Sequence, residues 1–399
     1  MRILHISDWH IGRTFHKLPT LDALTTVFDA VETIVRERSV DVVVAAGDVF
    51  DSSTPSADAV RLLDAILTRL TGAGARVVLT SGNHDSPARL GAKAVFAATA
   101  GIHVLTEPDR LAEPVGLDDE HGAVLFYGVP YLEPALARQH WRDVEVMRSQ
   151  KDALAHALSL VRADWSARGG RAVVLAHTFV HGADAQSCDS ERDIVGGVDK
   201  VPVDFFRDFT YAALGHIHGR ATLAENVRYS GAPLHYSFSE AGKPRGGWLV
   251  DLDGAGLASV EWVGLPVPRP LAAIVGTVAD LLADERFEAV TDHWVSATIT
   301  DPTRPMNTLR RLQTRFPHLV ELAFAPSDRF DDRAASYTER IKGKTDLELV
   351  DVFLANVRNG EGASADETDL AREVIGARAT GGEGPRSTAD AADVERSLT

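Results

Sequence analysis

The sequence predicts an α/β protein in which a layered α/β domain fills roughly the first 260 residues. Three observations lead there. Short β-branched runs alternate with segments of helical period. Clusters of Asp, Asn and His recur directly after those runs. A proline-bearing break, Leu265 to Pro270 (LPVPRP), then sets off a smaller group of alternating elements, because proline disfavours regular structure.

In order, Arg2 to Ser7 (RILHIS) reads as a strand and Leu21 to Arg38 has helical period. Asp41 to Ala46 (DVVVAA) is a continuous β-branched run, as expected of a strand covered on both faces. Ser56 to Leu70 reads as a helix with Leu62, Leu63, Ile66, Leu67 and Leu70 on its apolar side, most simply core. Arg76 to Thr80, Ala123 to Tyr127, Arg171 to Ala176 and Tyr211 to Leu214 repeat the buried-strand pattern. Tyr229 and Gly247 to Leu252 read as later strands of a second sheet. Beyond the break a compact α/β unit is expected: helix Val278 to Asp284, strand Trp294 to Thr300, helix Met306 to Phe316, strand Leu319 to Phe324. Leu347 to Val357 forms an amphipathic helix carrying Leu349, Val350, Phe353 and Leu354, and another helix is expected at Asp366 to Ala377. From Thr380 the chain is rich in Gly, Ala and charge with few apolar anchors, a composition expected to stay disordered.

A chain of 399 residues exceeds one ordinary core, so two or three domains are expected, and 45% apolar residues suffice to build them. The single cysteine, Cys188, excludes an internal disulfide framework and fits a reducing compartment. No run of eighteen apolar residues suggests a membrane span, and the strand at Arg2 to Ile6 leaves no room for a signal peptide. The net charge of −16 argues mildly against nucleic acid as a partner. Bound divalent cations would still make a site locally positive, and a second subunit could supply much of a DNA grip.

Five motifs carry the chemistry, each just after an expected strand: Asp8-Trp9-His10, Gly47-Asp48-Val49-Phe50-Asp51, Gly82-Asn83-His84-Asp85, His177, and Gly215-His216-Ile217-His218. In open α/β sheets ligands bind beyond the carboxyl ends of strands, so the five clusters converge on one site. Glycines 47, 82 and 215 permit sharp turns or close backbone approach. Asp, Asn and His together suit manganese, iron or zinc rather than calcium. A bridging Asp would hold two such ions roughly 3.5–4 Å apart, and water activated there attacks phosphorus. Singly, each motif has an ordinary structural explanation: a capping Asp, an Asn-rich turn, a solvated loop. Five in order at strand ends do not.

In this order the motifs DxH, GDxxD, GNHD, H and GHxH resemble those of the calcineurin-like metallophosphoesterases. The longer stretches HISDWHIG, AGDVFD, SGNHDSPARL, LAHTFVHG, ALGHIHG and YSGAPLHYSFSE are similar to the SbcD family, nuclease subunits of bacterial SbcC–SbcD complexes. The resemblance is strong over about the first 260 residues and holds in outline beyond them. It implies a four-layer α/β/β/α sandwich (residues 1–264), a small α/β capping domain (271–327), a C-terminal helical partner-binding segment (328–378) and a disordered tail (379–399).

It further implies two divalent ions, manganese expected: one held by Asp8, His10, Asp48 and His218, the other by Asp48, Asn83, His177 and His216, with Asp48 bridging. His84 would act near the leaving-group oxygen, and Asp85 would orient or charge-balance it. Asp51 stands where archaeal and eukaryotic counterparts carry a second functional histidine, so its catalytic part stays open. The implied partners are double-stranded DNA ends and hairpins, an SbcC-like SMC-type ATPase, and a second copy of the chain within a heterotetramer. The dimer would form through the helix at Ser56 to Leu70 and the one after His84. The implied setting is cytoplasmic and nucleoid-associated.

Arg13, Lys17, Arg89, Lys93, Arg220 and Arg245 are candidate phosphate contacts, with a solvated surface role as the plainer reading of each. His5, His16, His181 and His235 read as core or surface histidines rather than ligands. Gly343-Lys344-Thr345 lacks the upstream glycine of a phosphate-binding loop, Thr338 standing in its place, so ATP hydrolysis would have to come from a partner. Two rivals remain: the same chemistry on another phosphoester, such as a phosphoprotein or cyclic nucleotide, and a non-catalytic DNA-end scaffold.

Overall fold

The computed structural model describes residues 1–142, 147–181, 201–326, 343–358 and 362–380. Two six-stranded sheets make the body. The first runs in the order Gly256–Gly264, Gly246–Asp253, Arg2–His5, Val42–Ala46, Arg76–Thr80, Ile102–Leu105. Its last four strands are parallel and the first two antiparallel. The second runs Ala221–Ala224, Val227–Tyr229, Tyr211–Gly215, Arg171–His177, Gly122–Val129, Val115–Asp119, parallel in the middle and antiparallel at both edges.

The strand period of two sorts side chains between layers. Val42 and Val44 point into a core shared with Val124, Phe126, Val173 and Leu175 of the other sheet, so the sheets lie face to face. Val43 and Ala45 point the other way, against helices α1 (Leu21–Glu37) and α2 (Ala57–Gly72), which bury Val27, Val31, Leu63 and Ile66. The outer face of the second sheet is covered by Leu154, Leu158 and Val161 of the helix Gln150–Arg168. The result is the four-layer α/β/β/α arrangement. Helix Gln150–Arg168 starts at a reciprocal capping box, Ser149 with Asp152, and stops at Gly169, whose φ is +72°.

One expectation is corrected. Tyr229 does lie in the second sheet, but Gly246–Asp253 joins the first, antiparallel to Arg2–His5. Alternation shows that a segment is a strand, not which sheet takes it. Here the register of Arg2 with Asp251 and of His5 with Trp248 decides, supported by an Arg2–Asp251 ion pair at 2.8 Å.

The chain divides into two compact units, one of Met1–Ala273 with Asp292–Ser296, the other of Ile274–Thr291 with 297–399. The second holds the helices Val278–Ala283, Thr308–Gln313, Asp346–Val357 and Ala365–Thr380 and the strand Leu319–Phe324. The helix expected from Met306 begins later because Asn307 sits in the left-handed region, with φ 55°. Cys188, the start of the expected C-terminal segment at 328–342, and the tail from 381 onward lie outside the described residues. Among the described residues no helix is long and apolar enough to cross a membrane.

Candidate active site

All five motifs leave the carboxyl ends of central strands. Asp8, Asp48 and Asn83 follow three neighbouring strands of the first sheet; His177 ends one strand of the second, and His216 follows the adjacent one, in register with it. Main-chain bonds lock the first two loops together: Asp8 N donates to Gly47 O (3.2 Å) and His10 N to Asp48 O (2.9 Å). Asp8, His10, Asp48 and His216 have φ of 57°, 45°, 49° and 106°, half of the eight non-glycine residues with positive φ among those described. Such strain persists where the surroundings over-determine it, and it gathers at functional sites. Two glycines are required by close approach. A Cβ on Gly82 would run into the Asp48 carboxylate, and one on Gly215 into the Ala46 carbonyl.

The loops bring all seven expected ligand residues together. Asp48 Oδ2 lies 3.5 Å from His10 Nε2 and 3.3 Å from His177 Nε2. His10 Nε2 and His218 Nε2 face each other at 3.0 Å. Asn83 Oδ1 sits 2.9 Å from His177 Nε2 and 3.2 Å from His216 Nδ1. Asp8 Oδ1 accepts from His216 N (2.8 Å), whereas its Oδ2 is buried with no hydrogen-bond partner. Ligand-type atoms lie within 4.8 Å of one another in three sets: Asp8, His10 and His218; Asp8, Asp48 and His177; His10, Asp48 and His84.

These residues fit divalent cations. A buried carboxylate oxygen without a hydrogen-bond partner is costly unless a cation meets it, and Asp8 Oδ2 is such an oxygen, with His10 and His218 grouped beside Asp8. Burial pushes the Asp8 carboxyl up to about 7. Burial also works against charge on Asp48, but His177 and His10 outweigh it and hold that carboxyl well below the usual range. Burial brings His10 down to about 4 and His216 to about 3, the neutral form that ligates metal. Burial opposes charge on His177 too, yet the Asp48 carboxylate carries it up to about 9.

A second layer orients these groups. His177 Nδ1 meets Ala46 O at 2.7 Å and His10 Nδ1 meets Asp51 Oδ1 at 3.2 Å, so each ring turns Nε2 inward. His84 Nδ1 meets the Asp51 main-chain oxygen at 2.9 Å, and its ring stands edge-on to His10 with 34% of the side chain exposed. Asp85, expected to orient or charge-balance His84, makes no hydrogen bond to that ring, whose Nδ1 is taken by Asp51 O. Its two oxygens accept Val49 N (3.0 Å), Phe50 N (2.8 Å) and Gly82 N (2.9 Å), stapling the Asp48 loop to the Asn83 loop. Arg245 is neither a phosphate contact nor a surface residue. It is 3% exposed, pairs with buried Glu240 and donates to His218 O at 2.6 Å. His5 is a core residue, held by Tyr211 Oη at 3.0 Å.

Sequence reasoning passes over three residues here. Tyr236 sets its ring against His10 and His218, Tyr131 stacks on His216, and Glu240 lies 3.9 Å from His218 Nδ1. Tyr236 and Glu240 fall within YSGAPLHYSFSE, where the run of polar and aromatic residues is the available signal.

The sandwich and its edge define a calcineurin-like phosphoesterase. The family model of that description matches residues 1–220, and the chain belongs to that family. A second model, described as a type 5 capsule protein repressor C-terminal domain, matches residues 267–358. The SbcD subunit of the nuclease SbcCD of Bacillus subtilis (strain 168) is 34% identical over 287 residues, 68% of this chain and 71% of that protein, which places the chain in the SbcD family. Solved structures matched include a dimetal phosphatase from Danio rerio (TM-score 0.37, 15% identity, 66% of this chain and 98% of that one). GAP50 of the Plasmodium inner membrane complex also matches (TM-score 0.37, 12% identity, 82% and 98%).

Proposed function

We propose that this chain is a metal-dependent nuclease. It hydrolyses DNA phosphodiester bonds at double-strand ends and hairpins as a subunit of an SbcC–SbcD-type complex in DNA repair and recombination. The observation that carries the reading is the cluster around Asp48, in a chain 34% identical to the SbcD subunit of a nuclease SbcCD. Asp8, His10, Asp48 and His218 are assigned to one ion and Asp48, Asn83, His177 and His216 to the other; the mixed oxygen–nitrogen set favours manganese. When bound, such ions neutralise phosphoryl oxygens and lower the pKa of water. His84, with Nδ1 committed to Asp51 O, keeps Nε2 for the leaving-group oxygen as general acid. Asp51 positions both rings: its carboxylate faces His10 and its carbonyl faces His84.

Residues 271–327 are assigned as a capping domain over DNA, and the helices within 328–378 as the tether for an SbcC-like SMC-type ATPase; half-exposed Phe353, Leu370 and Val374 supply apolar contacts. A homodimer contact is placed on the groove of about 820 Å³ between α2 and the segment after His84, where Phe96 is 78% and Val60 39% exposed. A cytoplasmic, nucleoid-associated setting follows from that assembly. The test compares kcat/KM for labelled duplex DNA with that for bis(p-nitrophenyl) phosphate in manganese. Preference for DNA supports the reading; preference for the small diester moves it to another phosphoester.

A further inference from the structure

Four arginines near the motifs could meet phosphate, and three are committed elsewhere. Arg13 lies 3.4 Å from Asp51, Arg89 donates to Ser53 O, and Arg245 is buried against Glu240. Arg220 is different. It is exposed, and among the described residues no carboxylate lies within ion-pair distance of its guanidinium. In a chain of net charge −16 an arginine beside the site without a countercharge is conspicuous.

Its guanidinium is nevertheless held. It lies 4.8 Å over the Trp262 ring. Trp262 meets Trp248 edge-to-face at 4.9 Å, and Arg228 covers Trp248 at 4.5 Å. Trp248 is 8% exposed and anchored by Nε1 to Tyr229 O (2.8 Å), so the stack rests on both sheets. Trp262 pairs with Trp248, and Trp248 with His5, at the strand end from which Asp8 and His10 emerge. Arg220 follows the ligand-type residue His218 by two residues, and the main chain of both packs against Gly231, where an added Cβ would lie 2.5 Å from His218 O and 3.0 Å from Arg220 N. Stacking fixes the guanidinium plane while leaving its N–H fork open, the geometry that binds a phosphate in two places.

Resting on the nuclease reading, we propose that Arg220, held on Trp262, is a substrate-positioning residue that clamps a backbone phosphate of the DNA strand beside the scissile bond. The partner chemistry is a polynucleotide phosphodiester, which carries further phosphates beyond the scissile one as a small diester does not.

The test measures steady-state cleavage of fluorescein-labelled duplex DNA by the full chain in manganese, at several salt concentrations, with bis(p-nitrophenyl) phosphate as comparator. Arg220→Met should raise KM for duplex roughly tenfold, as expected for a hydrogen bond between charged groups. It should also flatten the dependence of log KM on log salt by about one unit, the contribution of one phosphate contact. Arg220→Lys should recover the salt slope but only part of the KM, and Trp262→Leu should raise KM roughly threefold by releasing the stack. An unchanged salt slope in Arg220→Met, or equal loss on duplex and small diester, would overturn the clamp and leave the nuclease reading standing. A parent protein that turns over the small diester but neither cuts nor binds duplex would overturn both.

Discussion

Asp85 is the group whose removal should most clearly separate architecture from chemistry. It is 6% exposed, makes no hydrogen bond to the His84 ring, and accepts three main-chain amides from two loops. Burial, and then the neighbouring Asp48 carboxylate, push its pKa up to about 7, so the amides are what make a charge there tolerable. In Asp85→Ala all three buried N–H groups lose their acceptor. At roughly 1–1.5 kcal/mol for each lost bond, with a further cost for stranding buried donors, the unit should lose about 3–5 kcal/mol. Asp85→Asn is gentler: its single oxygen can serve Val49 and Gly82, but its amide then faces the Phe50 N–H, donor against donor. The ordering parent, Asn, Ala should appear in thermal melts, with Ala lower by roughly 10 °C. Manganese affinity measured by calorimetry should fall in the same order, because Asp48 and Asn83 ride on the stapled loops. An Ala variant that melts with the parent and binds manganese equally well would show that the two loops hold their register without the staple.

Asp48→Asn should reduce the metal content of the purified protein, read by plasma mass spectrometry, since Asp48 belongs to two of the three ligand sets. Full occupancy would remove it from the bridging position. Phe96→Glu should weaken a homodimer measured by sedimentation, because that ring is 78% exposed beside the apolar groove. Leu63 is unsuitable for that test: at 6% exposure it belongs to the core under α2, so a charge there unfolds rather than dissociates. A parent protein that is monomeric throughout would refute the dimer outright.

The strands that deliver the site are legible because they are buried on both faces. Val42–Ala46 (VVVAA) is an unbroken apolar run and Arg76–Thr80 (RVVLT) holds one at its centre, and Asp48 and Asn83 stand out just beyond them. The helix Gln150–Arg168 is harder to read, since its buried face includes the small residues Ala153 and Ala157 among its leucines. Its start is nonetheless marked by Ser149-x-x-Asp152. The placing of Gly246–Asp253 beside Arg2–His5 depends on a pairing across more than two hundred residues, which no local pattern encodes. The same holds for Asp85, Glu240 and Arg245: a carboxylate that holds backbone amides and one that balances a histidine look alike in the sequence, and only tertiary structure separates them.

The most direct test of the central claim is cleavage of end-labelled linear duplex DNA in manganese by the parent protein and by His84→Gln, with metal content measured on both. The parent should cut, and the variant should keep its metal but lose roughly 10²–10⁴-fold in rate, the usual weight of a positioned acid. Equal cleavage by the two proteins, or none by either even with an SbcC-like ATPase and ATP present, would contradict the account.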